Sequence, residues 1–241
     1  MSRQAIAWGI TGAGALLRES VEVISQLVKA GYRVTVFISR AGEQVVNMYG
    51  LRKILESTVK GEYPTGIIYE SREPPGFPST GRLYLGVYKI VVVSPATMNT
   101  IGKIVSGIAD TLVSNLVMHA IKTQKPIYII PVDAFETRSY IPIVVDREKC
   151  IECEKCYAAM SCPTGALVED PYYKVDVYLE KCNRCYMCLK TCPFNAISFD
   201  VELVVKPVPF YLDIIRKLEL IPGVRVIRDP REILVELGVK Q

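Results

Sequence analysis

The sequence predicts an α/β protein, a parallel sheet wrapped by helices and interrupted late in the chain by a small cysteine-rich α+β insert. Three observations carry that expectation. Short β-branched runs alternate with stretches of helical periodicity from residue 5 to residue 132, as βαβ units do. All eight cysteines fall between Cys150 and Cys192. The tail after them returns to the same alternation: "PFYLDIIRKLEL" reads as a helix, "VRVIRD" as a strand and "DPREILVELG" as a helix. The cysteine region therefore interrupts one α/β domain instead of following it.

In order along the chain, "AIAWGI" (5–10) reads as a buried strand broken by "TGAG" (11–14). Leu16, Leu17, Val21, Ile24, Leu27 and Val28 then recur at helical spacing up to Gly31, a helix stop. "YRVTVFIS" (32–39) is a second strand by its β-branched content, and a helix is expected near 43–57. Residues 61–86, with "REPPGFPSTG", read as a loop with little regular structure. "VYKIVVV" (87–93) is a third strand, and Ile101, Ile104, Val105, Ile108, Leu112 and Leu116 mark the apolar face of one long helix. "PIYIIPV" (126–132) is a fourth strand. Three polar loops, "TGAG", "SRAGE" (39–43) and "SPATMNT" (94–100), then lie at the carboxyl ends of strands, where such sheets bind ligands.

Composition narrows the function. The chain of 241 residues is half hydrophobic, enough to pack a core. Its net charge is only +4, with Lys and Arg scattered, so no nucleic-acid partner is expected. The longest apolar runs are too short to span a bilayer, and the N-terminus lacks a charged-then-apolar signal pattern. A cytoplasmic protein without a membrane partner is the expectation, and cysteines spaced for metal need such a reducing compartment.

The cysteines form an internal repeat. Cys182, Cys185, Cys188 and Cys192 are spaced C-x2-C-x2-C-x3-C and followed by Pro193; Cys150, Cys153, Cys156 and Cys162 are followed by Pro163, with a wider last gap. "REKCIECEKC" aligns with "LEKCNRCYMC", and "CPTGALVED" with "CPFNAISFD". This is the bacterial-ferredoxin spacing for two [4Fe–4S] clusters, in which the fourth cysteine of each run ligates the other cluster. Cys150, Cys153, Cys156 and Cys192 are expected to hold one cluster, and Cys182, Cys185, Cys188 and Cys162 the other. Zinc would use two close pairs and would not need three cysteines per run followed by C-P. No cysteine is left over for thiol chemistry.

The small polar loops are less explicit. "GITGAGALL" fits a dinucleotide fingerprint at Gly12 and Gly14, but Leu17 stands where the third glycine belongs, and Ser39 and Arg40 end the second strand without an acidic residue for a ribose. Arg40 leaves an NADP phosphate open, and "TGAG" alone reads equally as a plain turn. "SPATMNTIGKIVSGIADTLVSN" resembles the "PASANT"-type signature of the flavin-containing cysteine decarboxylase superfamily, and "GITGAGA" and "VFISRAGEQVV" stand where that family has its phosphate loop and second strand. The resemblance covers residues 1–135 and 208–241. It implies a flavodoxin-like or Rossmann-like domain that binds FMN. It implies that Thr11, Gly12, Ala13 and Gly14 approach the phosphate and that Ser39 hydrogen-bonds it. Ser94, Pro95, Ala96, Thr97, Met98, Asn99 and Thr100 would line the ring and ribityl chain, with Asn99 near the ring and Arg138 as a cover residue. The family's active-site histidine has no counterpart, since the one histidine, His119, falls late on the long helix and reads as structural. Cysteine decarboxylation is not expected.

A flavoprotein domain over 1–140, completed by 205–241, with a two-cluster ferredoxin inserted at 141–204, resembles the archaeal iron–sulfur flavoproteins of the dihydromethanopterin reductase group. That resemblance implies an oxidoreductase fed by a ferredoxin-like or other one-electron donor, with a dihydropterin as substrate. It also implies homo-oligomers built on trimers, with the Pro-rich loop 72–81 placed to contribute to a neighbour's site. An electron carrier without a small-molecule substrate, and a flavin prenyltransferase with a redox accessory, are the other readings of the same residues.

Overall fold

The structure is a computed structural model and describes residues 4–150 and 153–239; residues 1–3, 151–152 and 240–241 lie outside the described residues. The first part of the chain runs β1 (Ala5–Ile10), α1 (Leu17–Lys29), β2 (Arg33–Ile38), α2 (Arg40–Met48), α3 (Arg52–Thr58), β3 (Gly66–Tyr69), β4 (Ile90–Ala96), α4 (Met98–Val105), α5 (Leu112–Lys122) and β5 (Ile127–Pro131). There follow β6 (Thr137–Val145), α6 (Tyr157–Met160), β7 (Leu167–Asp170), β8 (Lys174–Val177), α7 (Met187–Thr191) and β9 (Ile197–Val205), then α8 (Pro209–Glu219), β10 (Val224–Val226) and α9 (Glu232–Glu236).

Strands that are apolar along their whole length must be covered on both faces, and here they are. The six-stranded sheet has the order β10-β5-β4-β1-β2-β3, and every pair in it is parallel. Alternate residues feed two separate cores. Ile6, Trp8 and Ile10 of β1 pack with Val92, Leu17, Ile24, Leu55 and Leu234 on one face. Ala5 and Ala7 join Val91, Val93, Ile101, Leu116 and Leu218 on the other. The helix after β1 therefore covers one face and the helices after β4 cover the other. Because β1 and β4 are neighbours, the order reverses between them, and the doubly wound fold opens its crevice at their carboxyl ends.

Four details differ from the expectation. The expected loop 61–86 contains β3, only four residues long, paired with β2 at the sheet edge. The helix expected near 43–57 is two helices, α2 and α3. The expected long helix is also two, because Gly107 at φ +73 ends the first and Thr111 caps the second. The third strand is 90–96, not 87–93, because pairing with β1 begins at Ile6↔Ile90; Tyr88 instead folds into the core edge-on to Phe37, ring centroids 5.7 Å apart.

The cysteine region hangs on one antiparallel ladder. β6 and β9 pair from Thr137↔Val205 to Val145↔Ile197. Beyond their far end lie α6, the β7–β8 hairpin and α7, around a small core of Ile143, Ala158, Leu167, Val175, Cys188 and Ile197.

A buried polar chain fixes the central strands. Trp8 Nε1–H donates to the Ser94 carbonyl at 2.8 Å, and the Ser94 and Ser20 hydroxyls share a hydrogen bond at 2.7 Å, tying β1, β4 and α1 together. Replacing Trp8 by Phe leaves that carbonyl without its donor. A loss of about 1–3 kcal/mol is expected, read as a lowered denaturant midpoint in far-UV circular dichroism.

Candidate functional site

The crevice is built from the two loops that meet at the reversal of strand order. Thr11, at the end of β1, is 1% exposed. Its hydroxyl donates to the Pro95 carbonyl at 2.7 Å and accepts from the Thr97 N–H at 2.9 Å, while its own N–H reaches the same Pro95 carbonyl at 3.2 Å. Thr11 thus stitches "TGAG" to "SPATMNT". Gly12 and Gly14 are required by close approach: a Cβ at Gly12 would stand 2.6 Å from the Ala41 Cβ, and one at Gly14 would stand 1.9 Å from the Tyr49 hydroxyl. Ala13 is buried with Ala15 and Val132.

Two helix N-termini open at these loops. Ser39 caps α2, its hydroxyl accepting from the Gly42 N–H at 3.0 Å, and its own N–H donates to the Ile10 carbonyl at 3.1 Å, holding the start of α2 beside β1. Thr97 caps α4, accepting from the Thr100 N–H at 3.4 Å. Backbone donors and dipoles at such ends suit an anionic group. Within "SPATMNT", Ser94, Pro95, Ala96, Met98 and Thr100 are buried, Thr97 is half-buried and Asn99 is exposed. Most of the segment therefore shapes the crevice from beneath, and Thr97 and Asn99 are its accessible side chains. Arg138 lies on β6, exposed and ion-paired with Glu202 at 3.2 Å.

Two residues that sequence reasoning missed stand in this frame. Asp133, just past β5, accepts the Met98 N–H at 3.3 Å and so sets the first turn of α4; its place at the carboxyl end of a strand was the available signal. Tyr49, at the end of α2, is buried against Gly14 and donates to the Tyr140 carbonyl. Burial pushes its phenol pKa up, against a lowering hydrogen bond with Ser139. No motif marks it.

The cysteines sort into two pockets across the repeat. Cys150, Cys153, Cys156 and Cys192 line one cavity of about 370 Å³; Cys162, Cys182, Cys185 and Cys188 line a second, narrower one of about 20 Å³. The sequence repeat becomes structural symmetry. The Ala166 N–H donates to Cys162 Sγ at 3.3 Å, and the Ala196 N–H donates to Cys192 Sγ at 3.4 Å. Ser161 and Thr191, each one residue before those cysteines, share a hydrogen bond at 2.8 Å. Burial raises the Cys150 thiol pKa, helped by Cys156, Cys192 and Cys153, and raises Cys188 to about 11, helped by Cys182. At Cys162 burial also raises the pKa, but hydrogen bonds from Thr164 and nearby backbone amides outweigh it and lower the thiol. Two sets of four sulfur donors, with N–H groups pointed at Cys156 and Cys192 in one and at Cys162 in the other, fit the donor chemistry of two cubane clusters.

Anaerobically purified protein is expected to hold about eight iron atoms per chain, and Cys185→Ser about four. Metal analysis checks both, and stoichiometric zinc in place of iron would refute the assignment.

Comparison with known proteins gives the same two units. The flavoprotein family model matches residues 1–140, and a 4Fe-4S dicluster domain model matches residues 142–193. The dihydromethanopterin reductase (acceptor) of Methanosarcina mazei is 38% identical over 239 residues, 97% of this chain and 99% of that protein. The protein of the same name from Methanocaldococcus jannaschii is 45% identical over 168 residues, 68% of each chain. Burkholderia xenovorans DmrB, solved with FMN and described as a cubic protein cage for redox transfer, shares the fold with a TM-score of 0.60 at 23% identity, over 98% of this chain and 93% of its own. A likeness that runs through the flavoprotein unit and the dicluster unit together makes this chain a member of the dihydromethanopterin reductase (acceptor) family of iron–sulfur flavoproteins.

Proposed function

We propose that the protein takes single electrons from a soluble ferredoxin-like donor, passes them through two [4Fe–4S] clusters to FMN, and reduces dihydromethanopterin to tetrahydromethanopterin. The observation that carries this reading is the near full-length identity with the named reductase, which spans both units at once. When bound, the clusters supply one-electron steps and the flavin converts two of them into a hydride equivalent.

The chain's own residues supply binding and shape. Gly12, Ala13 and Gly14, with the start of α2 at Ser39, would hold the phosphate end of FMN, and Thr97 and Asn99 would meet its ring and ribityl side. Thr11, Ser94, Pro95, Ala96, Met98 and Thr100 keep the crevice in register from below. Arg138 would close over the site from β6. A neighbouring copy is part of the reading: the assembly is a homo-oligomer built on trimers, working in the cytoplasm. Among the described residues, no helix is long and apolar enough to cross a membrane. The inserted ferredoxin unit is taken as residues 141–204, inside the β6–β9 ladder whose outermost register partners are Thr137 and Val205.

Gly12→Val adds side-chain bulk where the Cβ alone meets the Ala41 Cβ at 2.6 Å. FMN affinity is expected to fall about tenfold, measured as flavin released per chain. Because facing residues of an antiparallel pair lie about 5 Å apart, a short turn between the partners Ile141 and Val201 can replace residues 142–200 and leave Arg138 in place. That variant is expected to keep its flavin and to lose reduction by ferredoxin. The reaction itself is tested by mixing photoreduced protein with dihydromethanopterin without oxygen. Flavin reoxidation with tetrahydromethanopterin formed is the expected result; a flavin that stays reduced until a partner protein is added would make the protein an electron carrier.

A further inference from the structure

The two cysteine pockets are not equivalent in their neighbours. Both cysteine pockets are lined by residues of the inserted segment alone, those around Cys150, Cys153, Cys156 and Cys192 falling between Val145 and Ile197. Beside Cys182, by contrast, lies a cavity of about 390 Å³ shared with Asn47, Gly50, Arg52 and Lys53 of the flavoprotein unit. The second set of cysteines thus abuts the end of α2, the helix whose first turn stands at Ser39.

Arg184 makes that junction. It lies between Cys182 and Cys185 with φ +58, a conformation that costs a non-glycine residue energy. Its side chain is 8% exposed. It pairs with Asp200, donates to the Tyr186 hydroxyl at 3.1 Å, and stacks over the Tyr186 and Phe199 rings at 5.7 and 5.5 Å. Asp200 in turn reaches Arg18 of α1 at 3.8 Å, and Arg18 lies over the Tyr49 ring at 5.8 Å. The Arg184 Cδ sits 3.1 Å from where a Gly50 Cβ would be, and Gly50 has φ +68, so glycine is favoured there. Contact is continuous from the second pocket to the crevice: Cys182 and Cys185 flank Arg184, Arg184 packs on Gly50, Gly50 adjoins Tyr49, and Tyr49 touches Gly14.

We propose that the cluster held by Cys162, Cys182, Cys185 and Cys188 would be the one that passes electrons to the flavin, that the other cluster would receive them from the external donor, and that Arg184 is the positioning residue that holds the delivering cluster against the flavoprotein unit at Gly50 and Tyr49. This rests on the reading of the crevice as the FMN site. Each electron leaves the one-electron donor, which is oxidised, and crosses the outer cluster and then the inner one. Two such electrons, with protons from water, reduce one flavin.

The test uses full-length, anaerobically reconstituted protein, with flash photoreduction of the clusters and flavin bleaching followed in time. Arg184→Ala is expected to slow bleaching about tenfold or more at unchanged iron and FMN content, since small displacements of reacting centres carry large rate penalties. Arg184→Lys is expected to recover part of the rate. Cys185→Ser is expected to slow bleaching more than Cys153→Ser does. Faster amide exchange at Gly50 and Leu51 in Arg184→Ala is the signature of a loosened junction, and it reads the junction whether or not flavin is bound. Unchanged bleaching or unchanged exchange in Arg184→Ala, or a larger defect in Cys153→Ser than in Cys185→Ser, overturns the proposal. Wild-type protein that binds no FMN, together with the expected exchange change in Arg184→Ala, would instead sink the reading of the crevice.

Discussion

The structure depends on one threonine hydroxyl. A doubly wound sheet places its two central loops side by side, but parallel pairing of β1 with β4 ends at Gly9↔Val93 and leaves the two loops beyond it free to splay. Thr11 prevents this by giving its proton to Pro95 and accepting one from Thr97, 1% exposed and out of competition with water. Beneath it the Trp8–Ser94–Ser20 chain fixes the same strands from inside the core. A crevice between two loops is a defined shape only if the loops cannot move apart, and these bonds hold them.

Much of this was legible in the sequence for physical reasons. Strands buried on both faces leave unbroken apolar runs, and cluster ligation demands fixed cysteine spacing, so the α/β class and the two-cluster unit could be read directly. The finer points were hidden because pairing and packing decide them. "SPATMNT" reads as a polar loop, yet its first three residues complete β4, since strand ends follow the neighbour's register and not local polarity. Ser94 accordingly faces Ser20 in the core. Tyr49 and Arg184 carry no motif. Their importance comes from Gly14 and Gly50, whose missing side chains make room for them, and such a pairing shows only when distant segments are brought together.

The insert illustrates how two cofactor systems can share a chain without sharing a core. Ile143, Leu167, Val175 and Ile197 pack among themselves, while the flavoprotein cores close without them. Contact between the units includes side chains at α2, α3 and the start of α1, rich in arginine and tyrosine. Planar, amphipathic groups of this kind hold a polar junction in place with few rotatable bonds left free.

The ladder at Thr137↔Val205 also bears on how the chain becomes a folded domain. β10, the last strand of the sheet, and α9 are synthesised only after the whole cysteine region. Were that region unstructured, docking β10 on β5 would close a loop of about 90 residues. With the ladder formed, the effective loop shrinks to about 25 residues, a saving of about 1 kcal/mol in closure entropy. Cluster assembly and completion of the sheet edge are therefore coupled through chain connectivity, and a ribosome-bound chain gains its final strand most readily once the metal region has already folded.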